Sequence, residues 1–231
     1  MESQLEDKEA VVKARDGDKD AYRILVQRYQ DRAFGVAFSV LRSRADAEDV
    51  VQESFVKAYL SLGRFEGKSS FYTWLYRIVY NMAIDYRRKH GKHAQGVELE
   101  EEVVARERDV SLGGRTAETP EEHLARREQR SAIAAGMAEL SEEHRTVLTL
   151  RELQGLSYED IAEVTGVNKG TVMSRLHYAR KNLQQFLERV ARQEEVETEP
   201  NRAELSSSKV VQCQMMKREM EMGHWPWRHQ I

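Results

Sequence analysis

The chain has 231 residues, 40% hydrophobic and 32% charged, enough for one large domain or two small ones with modest cores. Its net charge of −3 argues against a protein that holds DNA tightly by itself, and a single cysteine, Cys213, excludes an intrachain disulfide. No apolar run approaches the roughly 20 residues that span a bilayer and no charged-then-apolar leader opens the chain, so a cytosolic location is expected.

Three prolines and 13 glycines favour helix throughout. After a polar opening over residues 1–17, the stretch from Asp20 to Arg42 carries Leu25, Val26, Tyr29, Ala33, Val36, Ala37, Val40 and Leu41 at helical intervals. A second helix follows, with Asp46 expected as its cap. Its buried stripe is Ala47, Val51, Phe55, Ala58 and Leu62, and Asp49, Gln52 and Glu53 face the other way. The glycine-containing loop Gly63 to Ser70 breaks that helix and ends in a serine cap. The next helix is expected to turn Phe71, Leu75, Ile78 and Met82 inward, with Asp85 near that face. Thr73, Tyr76, Arg77, Tyr80, Ile84 and Arg87 are expected outward. These helices define an N-terminal domain over 18–90.

Residues 91–118 are rich in charge and glycine, lack an apolar stripe and read as an extended or disordered linker. Helix restarts at Thr119-Pro120-Glu121-Glu122, with a capping threonine, proline at the first position and acids near the positive helix end. One helix runs from Leu124 to Leu140, Ser141-Glu142-Glu143 caps the next over His144 to Glu152, and Gly155 leads onward. From Ser157 to Leu187 the pattern is two helices around a tight turn at Gly166, capped by Ser157 and by Asn168. In the second of these, Val172, Leu176, Ala179 and Leu183 form a core stripe, leaving Gly170, Ser174, His177, Tyr178 and Lys181 opposite. That is a helix-turn-helix pattern, with Arg175, Arg180 and Lys181 placed for phosphates. An ordinary helical hairpin with a solvated basic face shares the pattern. This C-terminal domain covers 119–190.

The tail, 191–231, opens acidic and closes with methionines and tryptophans, and it reads as disordered or loosely docked. Its Cys213, His224 and His229 match no common metal spacing. Basic residues cluster at Arg87, Arg88, Lys89 and Lys92 and again from Arg175 to Arg192. Acids gather from Asp46 to Glu53, from Glu98 to Glu102 and from Glu194 to Glu199. Such segregation suggests one surface for DNA and another for a basic partner.

With both halves read, the chain resembles a bacterial extracytoplasmic-function sigma factor, one of the small two-domain specificity subunits of RNA polymerase. RADAEDVVQESFVKAYLSLGRFEG and SSFYTWLYRIVYNMAIDYRRK stand in the order and spacing of sigma region 2. LSEEHRTVLTLRELQGLSYEDIAEVTGVNKGTVMSRLHYARKNL stands in that of region 4. The resemblance implies an all-α fold of two small helical domains joined by a flexible linker, running near the RNA exit path of the polymerase. It implies docking on core polymerase through Asp46, Glu48, Asp49, Gln52 and Glu53. It further implies that minus-10 DNA is captured and melted by Phe65, Lys68, Ser69, Ser70, Tyr76, Arg77, Tyr80, Asn81, Arg87 and Arg88, on stacking and phosphate contacts. For the minus-35 element it implies Lys169, Thr171, Met173, Ser174, Arg175, His177, Tyr178, Arg180 and Lys181. Relatives often carry arginine where this chain has Met173 and Tyr178, so a distinct promoter sequence is expected.

The partners implied are core RNA polymerase, promoter DNA and an anti-sigma factor that clasps both domains, with no membrane insertion. A stand-alone helix-turn-helix regulator is the alternative, although it would more often carry a ligand or phosphoacceptor domain. An enzyme has no support in the sequence. With no nucleophile motif, paired catalytic carboxylates or metal spacing, no catalytic residue, cofactor or metal is expected.

Overall fold

The computed structural model of the protein describes residues 2–90 and 120–197; the linker expectation and most of the tail lie outside these residues. The described elements are α1 (Glu2–Arg15), α2 (Lys19–Leu41), α3 (Arg44–Ser61), a 3-10 turn (Leu62–Arg64), α4 (Phe71–His90), α5 (Pro120–Glu139), α6 (Glu142–Leu148), a π-helical turn (Thr149–Leu153), α7 (Tyr158–Thr165) and α8 (Lys169–Glu197). Every regular element among the described residues is helical, as the all-α reading requires. Contacts divide them between two compact units, one within Met1–Leu99 and Thr149–Met173, the other within Glu100–Leu148 and Ser174–Ile231.

In the first unit α1, α2, α3 and α4 pack together. Asp18 caps α2, its carboxylate accepting from the backbone N–H groups of Asp20 (2.9 Å) and Ala21 (3.0 Å). Leu25, Ala33, Val36 and Ala37 on α2, with Ala47 and Ala58 on α3, are completely buried. Small residues recur along both helices, which lets the two axes approach closely. Ser43, not Asp46, caps α3: its Oγ accepts from the Asp46 N–H at 3.4 Å, and the extended backbone of Ser43 leaves Asp46 inside the first turn. The polar opening also proves to be a docked helix. Ala10, Val11 and Ala14 of α1 are buried, and the buried Asp7 carboxylate accepts from the Arg28 guanidinium and the Tyr29 hydroxyl.

The inward face of α4 differs from expectation. Phe71, Thr73, Leu75, Tyr76, Val79 and Ala83 are buried, whereas Ile78 and Met82 are only half-buried. Thr73 and Tyr76 were expected outward, but α4 packs against α2 and α3 on one side and against α7 on another. The Thr73 hydroxyl donates to Asp160 on α7 at 3.1 Å, and the Tyr76 hydroxyl donates to Gln154 at 3.4 Å. Two covered faces cannot be read from a single apolar stripe. Asp85, expected near the core, instead points to solvent and pairs with Arg88 at 3.1 Å.

Within the second unit, α5 and α8 come close enough that a Cβ built on Gly136 would lie 2.5 Å from Leu183 Cδ1 and 2.9 Å from Phe186 Cδ1. The absent side chain is therefore a packing requirement, and it offsets the roughly 1 kcal/mol that glycine costs inside a helix. Ser141 opens α6, its Oγ accepting from the His144 N–H at 3.4 Å. Leu140, Val147, Leu148, Leu176, Ala179 and Leu183 are buried here.

Candidate nucleic-acid interface

The Ser157–Leu187 segment folds as its sequence indicates. Ser157 and Asp160 form a capping box: Ser157 Oγ accepts from the Asp160 N–H at 3.0 Å, and the Asp160 carboxylate accepts from the Ser157 N–H at 3.3 Å. Gly166 ends α7 in the left-handed region at φ 70°, where a side chain would be strained. Asn168 then starts α8, its Oδ1 accepting from the Thr171 N–H at 2.8 Å and the Thr171 hydroxyl at 3.0 Å. Val172, Leu176, Ala179 and Leu183 are all buried, with exposures of 0–1%. Opposite them Gly170, Met173, Ser174, His177, Tyr178 and Lys181 are exposed.

The cations around this face are not equivalent. Lys169 pairs with Glu159 on α7, and that bond holds the Glu159 carboxyl below its ordinary range, with a further contribution from its own backbone N–H. Arg175 and Arg180 are half-buried. Glu143 at the start of α6 is held below the usual carboxylate range by its own backbone N–H, partly opposed by burial, and then by the Arg175 charge. Tyr178 is 53% exposed and lies near two imidazoles, with ring centroids 6.4 Å away for His144 and 5.4 Å for His177.

On α3 the five acidic or amide candidates separate into two sets. Asp46 accepts from the Tyr86 hydroxyl at 2.6 Å, and Glu48 pairs with Arg44 at 3.0 Å. Asp49, Gln52 and Glu53 are exposed one turn apart. The Tyr86 hydroxyl is pushed up by its bond to Asp46, then by desolvation and by the negative field of Asp46, Asp49 and Glu53, so these acids converge on one patch.

The loop before α4 and α4 itself carry the remaining candidates. Phe65 is half-buried, its ring 5.1 Å from Trp74 and 6.2 Å from Phe71, which ties it to an aromatic cluster. Ser70 caps α4: its Oγ accepts from the Thr73 N–H at 3.2 Å and lies 2.7 Å from the Thr73 hydroxyl. Ser69 is half-buried, and Lys68 is exposed and paired with Glu66. Along α4, Arg77, Asn81, Arg87 and Arg88 are exposed and Tyr80 is half-buried. Tyr76, at 1% exposure, is enclosed.

The chain matches the Sigma-70 region 2 family over residues 25–93 and the Sigma-70, region 4 family over residues 130–183. It is 42% identical to an ECF RNA polymerase sigma-E factor of Haemophilus influenzae, over 80% of this chain and 96% of that one. The chain belongs to the extracytoplasmic-function RNA polymerase sigma factors. An RNA polymerase sigma-H factor of Pseudomonas aeruginosa is 38% identical, over 84% of this sigma factor and all of its relative. The structure of CnrH in complex with the cytosolic domain of CnrY superposes with a TM-score of 0.56 at 27% identity, over 79% of this sigma factor and 97% of CnrH.

Membership supports a transcription-initiation factor and not the stand-alone regulator. No helix among the described residues of this sigma factor is long and apolar enough to cross a membrane. Four residues at its candidate surfaces escaped sequence reasoning: Glu143 and His144 beside the recognition helix, Glu159 beside Lys169, and Tyr86 beside the α3 acids. Glu143 and Glu159 had a local signal, as acids in the first turns of α6 and α7. The others meet their partners through tertiary packing.

Proposed function

We propose that this sigma factor docks on core RNA polymerase through the exposed Asp49, Gln52 and Glu53 of α3. It lays α4 on the minus-10 element and α8 on the minus-35 element, and assists melting of the former. The domain over 18–90 carries the first two contacts, that over 119–190 carries the third, and 91–118 joins them. The protein supplies promoter specificity in the cytoplasm, and the bond-making chemistry is the polymerase's. The single observation that carries this reading is the row Met173, Ser174, His177, Tyr178 and Lys181, exposed behind a fully buried stripe in a region 4 match that follows a region 2 match.

For the minus-10 contact, Arg77, Asn81, Arg87 and Arg88 supply phosphate and base partners and Tyr80 a stacking edge. Lys68 and Ser69 stand at the loop, while Phe65 and Ser70 shape it from the aromatic cluster and the cap. Tyr76, enclosed against Tyr29 and Gln154, supports α4 from within and does not touch DNA. At the minus-35 element Ser174, His177 and Tyr178 read bases, with Lys169, Arg175, Arg180 and Lys181 on phosphates and Thr171 in the cap. On α3, Asp46 and Glu48 support the docking face through Tyr86 and Arg44. An anti-sigma protein covers these surfaces, as CnrH is held in complex with the cytosolic domain of CnrY.

The test is reconstitution. Purified protein, core polymerase and a promoter library should give specific initiation at selected promoters, with little binding to the same DNA by the protein alone. Tight, specific operator binding without polymerase, or no association with core polymerase, would overturn the proposal.

A further inference from the structure

The recognition helix exposes an unusual chemistry for reading DNA. Met173 is the fifth residue of α8 and 51% exposed, although the residue before it and the one three further on, Val172 and Leu176, are at 0% and 1%. Nothing in the core needs it, and an isolated exposed methionine elsewhere would be unremarkable. Here it stands in the N-terminal part of the second helix of a helix-turn-helix, the part that meets base edges in the major groove. His177 follows one turn, about 6 Å, further along.

The groups around it narrow what it can read. Guanine is selected by bidentate arginine or lysine, and the nearby cations flank Met173 at positions suited to phosphates. Lys169 lies at the start of α8 in an exposed pair with Glu159, and Arg175 is half-buried. Lys181 lies eight residues, about 12 Å, past Met173. A thioether offers no strong donor or acceptor. Its complement in the major groove is the C5-methyl group, which thymine alone among the four bases carries. Methionine is flexible and polarizable, and it can settle on such a methyl without a fixed approach geometry.

We propose that Met173 is a specificity residue of the minus-35 contact, packing its thioether end on the C5-methyl of a thymine. The proposal rests on the sigma-factor reading above and names the base that this part of α8 selects. One methyl group withdrawn from water is worth about 0.8 kcal/mol, or roughly fourfold in binding.

Deoxyuridine isolates that methyl. Promoters are first selected from a random library by the holoenzyme of the full chain and core polymerase. Each thymine of the upstream element is then replaced singly by deoxyuridine. At one position the wild-type holoenzyme should lose about fourfold in affinity. Met173→Ala should bind the thymine and deoxyuridine promoters equally, and Met173→Leu, which keeps an apolar end, should retain the discrimination. If no thymine is sensitive, or Met173→Ala shows the same loss as wild type, the proposal is wrong while the sigma-factor reading stands. If the holoenzyme selects no promoter, that reading fails and the proposal with it.

Discussion

Asp49 and Glu53 are the residues on which docking is most directly testable. Both are exposed on α3, whereas Asp46 is engaged by Tyr86 and Glu48 by Arg44. Reversing both charges, Asp49→Lys with Glu53→Lys, should weaken core-polymerase binding by roughly tenfold or more and leave thermal unfolding unchanged, because like charges would then face a basic partner. Unaltered affinity in a pull-down titration would remove α3 from the interface. Gly136 gives the opposite kind of test. Its missing Cβ is what lets Leu183 and Phe186 approach, so Gly136→Val should lower stability by about 1–3 kcal/mol despite the better helix propensity of valine. A thermal melt equal to wild type would show that the two side chains move aside freely. Tyr178 is half-exposed beside two imidazoles, and its substitution should change base preference at the minus-35 element by about 1–3 kcal/mol. A uniform loss over all sequences would mark it as a phosphate contact instead.

Among the elements, α8 and α3 were the most legible in advance. The buried stripe Val172, Leu176, Ala179 and Leu183, and the stripe Ala47, Val51, Phe55, Ala58 and Leu62, lie where helical periodicity places them, because each helix buries one dominant face. The caps at Ser157 and Asn168 were legible for a similar reason: a cap is a contact within a few residues. The start of α3 was misplaced by three residues because Ser43 and Asp46 are both good capping types, and only the extended backbone at Ser43 decides between them. The capping box makes its own prediction. Ser157→Ala should cost about 1 kcal/mol of stability and loosen the entry into the helix-turn-helix, lowering promoter affinity without changing base preference. A change in preference would mean that α7 itself touches bases.

In the first unit, Tyr22, Tyr29 and Tyr76 all have hydroxyls pushed well above the ordinary tyrosine range, in each case mainly by burial. The folded state therefore keeps protons that the unfolded chain loses near pH 10, so stability is complete below that pH and falls as pH rises through it. An alkaline titration followed by phenolate absorbance should show exposed tyrosines ionising first and these three only together with loss of helical circular dichroism. Ionisation of all nine tyrosines in one early step, with the helices intact, would contradict the packing of α1, α2, α3 and α4 around these rings. The net charge of −3 is consistent with a factor that draws much of its DNA affinity from the polymerase. By itself the sequence determined the helical class, the two-part order of region 2 and region 4, the recognition helix and its outward row, since these rest on local periodicity, caps and motif spacing. Tertiary structure alone decided that α1 docks, that Asp46 is engaged by Tyr86, and that Thr73 and Tyr76 of α4 are covered. Those outcomes depend on partners far along the chain, 87 residues away for Thr73 and Asp160 and 78 for Tyr76 and Gln154, and a helical period carries no information across such distances.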